Sequence, residues 1–255
     1  MALAESIARI KNRYRRSLST LFGRRLVHLQ SKVSLISFTF DDFPKSALHQ
    51  GGAILKNHGC RATYYTSMSL MGKNIPAGLS FTADDLLQAV ADGHELGCHT
   101  YAHCHAWNTM PCVFEDSIFE NKRMLAEIVP GADFASLSYP IDHPRPETKR
   151  RTAGYFKCAR GGGQTFNLGP TDANNLQAFF LEKSRDNPKA IKQLIDDNRR
   201  ACGWLIFATH DICENPSTYG CTPDFFDDIV RYSKNSGSQI LPVGKAWDFL
   251  FNKVT

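Results

Sequence analysis

From residue 33 onward, short apolar runs alternate with stretches of helical spacing, and this alternation is the tightest constraint on the fold. The runs that read as strands are 33–40 (VSLISFTF), 61–66 (RATYYT), 95–99 (ELGCH), 134–139 (FASLSY), 155–159 (YFKCA), 178–182 (AFFLE), 204–209 (WLIFAT) and 238–243 (SQILPV). Between them, helices are expected over 46–58, 82–92, 113–129, 146–153, 188–202 and 223–236. Thr82 stands before two acids, Pro188 and Pro223 sit where a first helical turn tolerates them, and Gly59, Gly93 and Gly237 follow helix ends. Repeated β–α units need crossover connections, so the sheet is expected to be parallel and the fold α/β. About eight strands in roughly 220 residues fits a (β/α) barrel. No repeat, low-complexity tract or linker interrupts it. Two parts are therefore expected: an N-terminal extension, 1–32, and one barrel domain, 33–255.

Charge separates the same two parts. Residues 1–32 carry eight Lys/Arg and one acid, a net +7, which leaves −2 for the rest of a chain whose total is +5. The body is thus no nucleic-acid surface. The extension places Ile7, Ile10, Tyr14, Leu18 and Leu21 or Phe22 at helical spacing among basic residues. Such a basic amphipathic helix can pack on its own domain or touch an anionic membrane through residues 1–25. It lacks the compact apolar core and cleavage site of a signal peptide. No apolar run approaches the roughly 18–20 residues of a membrane span. The eight cysteines, with no CxxC pair, read as reduced thiols, and the chain reads as cytoplasmic, with a peripheral position at the inner membrane face open to it.

In parallel α/β folds, chemistry gathers at the carboxyl ends of strands. The first strand ends in "SFTFDDFP", where Asp41 and Asp42 are adjacent acids that repel unless water or a cation compensates. The third ends at His99, with His103 four residues on. On a helical turn that spacing puts both rings on one face, within reach of one ion. Two imidazoles and a carboxylate make a common three-ligand set for a catalytic divalent metal. Cys98, Cys104 and His105 offer a competing closed zinc site, without the second cysteine pair such sites usually show. The fourth strand ends at Tyr139 and Pro140, and the seventh at His210, placed like a general acid.

Thr-Phe-Asp-Asp (39–42), His-Thr-x-x-His (99–103), Tyr-Pro (139–140) and a late strand ending in His210 together resemble the polysaccharide deacetylase family, carbohydrate esterase family four. The resemblance covers roughly residues 33–250. It implies a distorted (β/α)7-type barrel and metal-dependent hydrolysis of an acetyl group on a sugar. By motif position it implies Asp41 as general base, Asp42, His99 and His103 as ligands of zinc or another divalent ion, and His210 as general acid. It implies an oxyanion contact from the Tyr139 backbone N–H, and Tyr139–Pro140 itself reads as a rigid, apolar pocket lip. The chain departs from the family pattern in three places. Ser138 stands near the usual Arg that braces the base, Ile141 and Asp142 replace a Tyr-Gly, and no Asp/Trp motif appears around 180–187. Arg160, in "KCARGGG", is the candidate substitute for the missing Arg. The substrate expected is an N-acetylated sugar in a small or lipid-linked glycan, such as a surface-polysaccharide precursor. An O-acetyl ester, a non-sugar amide and non-catalytic glycan binding are the alternatives.

Overall fold

The computed structural model describes residues 2–141 and 143–251, with side chains from residue 10 onward. The replacement expected at Asp142 lies outside the described residues. In chain order the elements are α1 (Ala2–Leu21), β1 (Leu26–Leu29), β2 (Leu35–Phe40), α2 (Ala53–Asn57), β3 (Thr63–Thr66), β4 (Asn74–Ile75), β5 (Gly78–Leu79), α3 (Ala83–Ala91), β6 (Glu95–Cys98) and α4 (Pro111–Ile128). They continue with β7 (Ser136–Ser138), α5 (Pro146–Thr152), β8 (Cys158–Arg160), β9 (Gly169–Asp172), β10 (Phe179–Phe180), α6 (Pro188–Ala201), β11 (Trp204–Thr209), α7 (Pro223–Asn235), β12 (Gln239–Ile240) and α8 (Val243–Phe251).

Seven strands follow the spatial order β10-β11-β2-β3-β6-β7-β8, and every neighbouring pair is parallel. The sheet curls into a (β/α)7-type barrel. Between its two ends, Gly161 N–H donates to Leu176 O and Leu176 N–H to Ala159 O, which ties β8 to the segment leading into β10. β2 and β11 are buried at every residue, as central parallel strands covered on both faces must be. Phe38, Phe40, Tyr64, Phe207 and Phe226 stack and cross at 4.9–5.6 Å in the core between the sheet and α7. Each aromatic pair adds about 0.5–1.5 kcal/mol to the burial itself.

The structure corrects several expected boundaries. The helix expected over 46–58 opens as a wide π-turn, Ala47–Gly52, before α2. Gly51 and Gly52 lie where a Cβ would come within 3.0 Å of Phe40, Ile212 and the Tyr64 hydroxyl, so the backbone itself packs on β2 and β3. The strand expected over 155–159 is Cys158–Arg160, which makes Arg160 its last residue. The strand expected over 238–243 shrinks to Gln239–Ile240 and is followed by α8, which was not expected. Half-buried Glu95 secures α8 by accepting the Gly244 N–H at 2.9 and 3.0 Å, together with Thr63 Oγ1 at 3.2 Å.

The stretch before residue 33 is tied to the barrel. β1 pairs antiparallel with β9. Buried Lys149 donates to the Ser19 and Phe22 carbonyls at 2.6 and 3.0 Å, at the C-terminal end of α1 where a cation is favoured, and pairs with Asp172 at 2.5 Å. Gly23 (φ +63) closes α1, and a Cβ there would lie 2.4 Å from the Pro146 carbonyl oxygen. Arg25 donates to the carbonyls of Ala153, Phe156 and Lys157. Among the described residues no helix is long and apolar enough to cross a membrane.

Candidate active site

The cleft at the carboxyl ends of the strands has a volume of about 620 Å3 and is lined by Asp41, Asp42, His99, His103, Tyr139 and His210, among others. How two adjacent acids both reach it is answered by the backbone. Asp41 continues β2, its N–H donating to Thr209 O at 2.9 Å. Asp42 and Phe43 then take left-handed conformations, φ 59 and 45. Two non-glycine residues in that region cost about 1–2 kcal/mol each. The Phe43 ring offsets this: it is fully buried, 4.6 Å from Tyr64 and 5.1 Å from Phe81. The chain therefore turns at the strand's end instead of throwing Asp42 onto the opposite face.

The His99–His103 spacing is not helical, contrary to expectation. Residues 99–103 form a tight loop with left-handed Thr100 and His103, φ 59 and 48. Thr100 Oγ1 accepts the Cys104 N–H at 2.9 Å, and α4 clamps the loop through Ser117, which accepts the Tyr101 and Ala102 N–H groups at 2.8 and 3.1 Å. The loop still brings the two rings within 5.1 Å of each other.

Asp42, His99 and His103 form the one cluster of potential metal ligands among the described residues, their ligand atoms all within 4.8 Å. His103 Nε2 lies 3.0 Å and His99 Nε2 3.6 Å from Asp42 Oδ1. Two ligands about 2.0–2.1 Å from one tetrahedral ion stand roughly 3.3 Å apart, so these separations suit a shared cation. Asp42 Oδ1 is buried and accepts no well-aligned hydrogen bond despite the two nearby nitrogens. The His99 Nδ1–H donates to Ser138 O at 2.8 Å, which aims the Nε2 lone pair at the cluster. Burial pushes the His99 imidazole down to about 4, against the pull of Asp41 and Asp42, and keeps it neutral as a ligand must be. Burial works against the Asp42 carboxylate too, but His103, His99 and His210 outweigh it and hold Asp42 ionised. The competing zinc site is not assembled. The Cys98 thiol faces the Asn121 amide, and His105 Nδ1 accepts backbone N–H groups of its own turn.

Asp41 has different surroundings. Arg160, 1% exposed, donates from Nη2 to Asp41 Oδ1 and lies over the Tyr65 ring at 4.7 Å. Ser138 and Arg160 are register partners on β7 and β8. Arg160, the expected substitute for an arginine near Ser138, thus reaches Asp41 from the neighbouring strand at the same level. Burial alone would raise the Asp41 carboxyl, but Arg160, with His99 and His210, holds it well below the usual carboxylate range. His210 stands across the cluster, Nε2 4.0 Å from Asp42 Oδ2, with its ring 5.3 Å from Tyr219.

Two expected contacts are not made. The Tyr139 N–H donates to the Arg160 carbonyl at 3.1 Å, because β7 continues to pair with β8 past Ser138, and it is not free for an oxyanion. Pro140 is buried and does not line the cleft, and its carbonyl accepts the Ala106 N–H at 3.2 Å. The next residue, Ile141, is left-handed (φ 70), 65% exposed and lines the cleft, and no backbone carbonyl among the described residues accepts its N–H.

The sequence reading missed Glu182, which lines the cleft with Phe180 and Lys183. Glu182 Oε2 is buried without a partner, and burial, helped by the Asp41 charge, pushes the carboxyl up to about 7. The signal was available: Glu182 is the last residue of the run read as a strand, 178–182, where the same rule found the other site residues.

The family profile described as polysaccharide deacetylase matches residues 29–153. A chitin deacetylase of Colletotrichum lindemuthianum is 39% identical over 69 residues, 27% of this chain and 27% of that protein. A gellan lyase of Bacillus sp is 21% identical over 228 residues, 82% of this chain. The chain spans only 8% and 27% of the lengths of the gellan lyase and the chitin deacetylase. Among solved structures, the peptidoglycan deacetylase PdaC of Bacillus subtilis matches with a TM-score of 0.57 and 16% identity, covering 87% of this chain and 93% of that one. A family 4 acetyl xylan esterase of Clostridium thermocellum, solved with cobalt, gives 0.56 and 19% over 85% and 91%. A pseudoenzyme of the same family from Bacillus anthracis gives 0.60 and 14% over 86% and 67%. At these identities the structural matches establish the fold.

Proposed function

The chain belongs to the polysaccharide deacetylase family, and on that premise we propose that it removes the acetyl group from an N-acetylated sugar in a glycan or surface-polysaccharide precursor. The observation that carries this reading is the convergence of Asp42, His99 and His103 beside an Asp41 held ionised by Arg160. Asp42, His99 and His103 would hold a divalent ion, zinc before others for a two-His, one-carboxylate set. When bound, that ion supplies a Lewis acid that polarises the acetyl carbonyl and acidifies a water.

The chain's own groups do the remaining work. Asp41 takes the water's proton, with Oδ1 fixed on Arg160 and the other oxygen left for the cleft. The pairing keeps the base charged and oriented, at the cost of some basicity. The developing oxyanion is assigned to the Ile141 N–H, since the Tyr139 N–H is engaged with Arg160. His210, on the far side, delivers a proton to the departing nitrogen.

The test is acetate release from a panel of N-acetylated and O-acetylated glycans and nucleotide sugars, with and without chelator. Release from N-acetyl substrates that chelator abolishes and a divalent ion restores is expected. Chelator-resistant release, or release from O-acetyl esters alone, would overturn the reading.

A further inference from the structure

We propose that the outer face of α1 is a docking surface for an anionic lipid bilayer. The inner face of this helix is spoken for. Asn12 lines the cleft, Arg15 donates to Asn108 Oδ1 and lies 5.5 Å from the Trp107 ring centroid, and Ser19 is buried, with its hydroxyl against Asn175. These positions, at i, i+3 and i+7, share one side of the helix. Ile10, Tyr14 and Leu21 lie on a different stripe and are 69%, 61% and 62% exposed. Phe22 and Leu26, just past the helix, are 53% and 58% exposed. Isolated exposed apolar residues need no explanation, but Ile10, Tyr14 and Leu21 recur along one face of the helix.

Charge decides what covers it. Lys11 and Arg13 are exposed on the two flanks of the stripe, Arg24 is exposed just past the helix end, and the sequence has no acid between Glu5 and Asp41. The fitting occupant is negative at its surface and apolar just beneath, which describes an anionic bilayer. A second copy docking through the same face would set arginines against arginines across a two-fold axis. Because Asn12 lines the cleft from the opposite side of the helix, docking would hold the cleft's rim about one helix diameter, ~10–12 Å, from the lipid surface. That position suits a glycan presented at a membrane. Among the described residues no helix is long and apolar enough to cross a membrane, and the contact proposed is a surface one.

The test is co-sedimentation of the full chain with phosphatidylglycerol–phosphatidylcholine vesicles against phosphatidylcholine vesicles, at low and high salt. Binding confined to the anionic vesicles and weakened by salt is expected. At about 1 kcal/mol, or roughly fivefold, per charge, K11E/R13E should lower partitioning by at least ~25-fold. I10S/Y14S/L21S should also lower it, with circular dichroism unchanged in both variants. Equal binding to both vesicle types, no binding at low salt, or unaltered binding by the variants would overturn the proposal. So would a dimer in gel filtration that the apolar variant dissolves in the absence of vesicle binding. Sedimentation reads no turnover, so its failure is separate from any failure of the deacetylase reading.

Discussion

The two walls of the cleft are built differently. On one wall, Asp42, His99 and His103 come from short segments inside the region matched by the family profile, residues 29–153. The backbone of each turns locally, left-handed at Asp42, Thr100 and His103, and the Ser138 carbonyl then fixes the His99 ring. On the other wall, Phe180, Glu182, His210 and Tyr219 all lie beyond residue 153, as does Arg160, which is buried outside the cleft lining and reaches back to Asp41. The Asp41–Arg160 pair joins residues 119 apart in sequence. The Asp42–His99–His103 cluster thus depends largely on local turns, whereas the Asp41–Arg160 pair depends on the register of the sheet, which sets Arg160 level with Ser138.

The largest expected effect falls on the first wall. His99→Ala should weaken divalent-ion binding by more than ~100-fold, beyond the 10–100-fold typical of residues that only support a ligand, and abolish acetate release. Calorimetric titration with zinc checks the first part. Binding that survives the substitution would show that the cluster is not the metal site.

Next comes the second wall. Arg160→Met leaves Asp41 buried and unpaired and should cost about 3–5 kcal/mol in urea denaturation. Asp41→Asn/Arg160→Met should recover most of that stability without recovering turnover. Additive losses would show that the pair does not interact.

Two smaller effects have opposite pH signs and separate the core from the cleft. His94 is buried, accepts the Ala62 N–H at 3.1 Å through Nδ1, and is pushed down to about 4 by burial and the nearby Arg61 charge. Between about 6.5 and 4 the unfolded chain binds the proton and the folded one does not. His94 therefore costs up to about 3 kcal/mol of stability as pH falls through that window. Glu182 is pushed up to about 7, so between 4.5 and 7 the folded chain holds the proton. Stability falls as pH rises through that window, by about 1–3 kcal/mol, and Glu182→Gln should remove this slope. Urea midpoints at pH 4.5, 6 and 8 for His94→Gln and Glu182→Gln check both. Slopes that persist in the variants would assign them to other groups.

The same division explains what could be read from the sequence. Asp41/Asp42 at a strand end and the His99/His103 pair were legible because their residue types and spacing are local. The alternation of β and α predicted a parallel barrel because each crossover is contained in a few dozen residues. The left-handed turns were not legible, since Asp, Phe, Thr and His ordinarily avoid that region and only burial of Phe43 and the clamp by Ser117 sustain it. Nor was the engagement of the Tyr139 N–H, which depends on β7–β8 pairing running past the strand's end. The β1–β9 pair was missed because two four-residue strands about 140 residues apart leave no periodic signal.

The central claim is that two adjacent acids have two tasks, Asp42 as ligand and Asp41 as base. Its most direct test is Asp41→Asn, read for divalent-ion stoichiometry and for acetate release on the same sample. One ion bound as in the parent chain, with turnover reduced by about 100- to 10,000-fold, is the predicted result. Turnover close to the parent's, or loss of the ion, would contradict it.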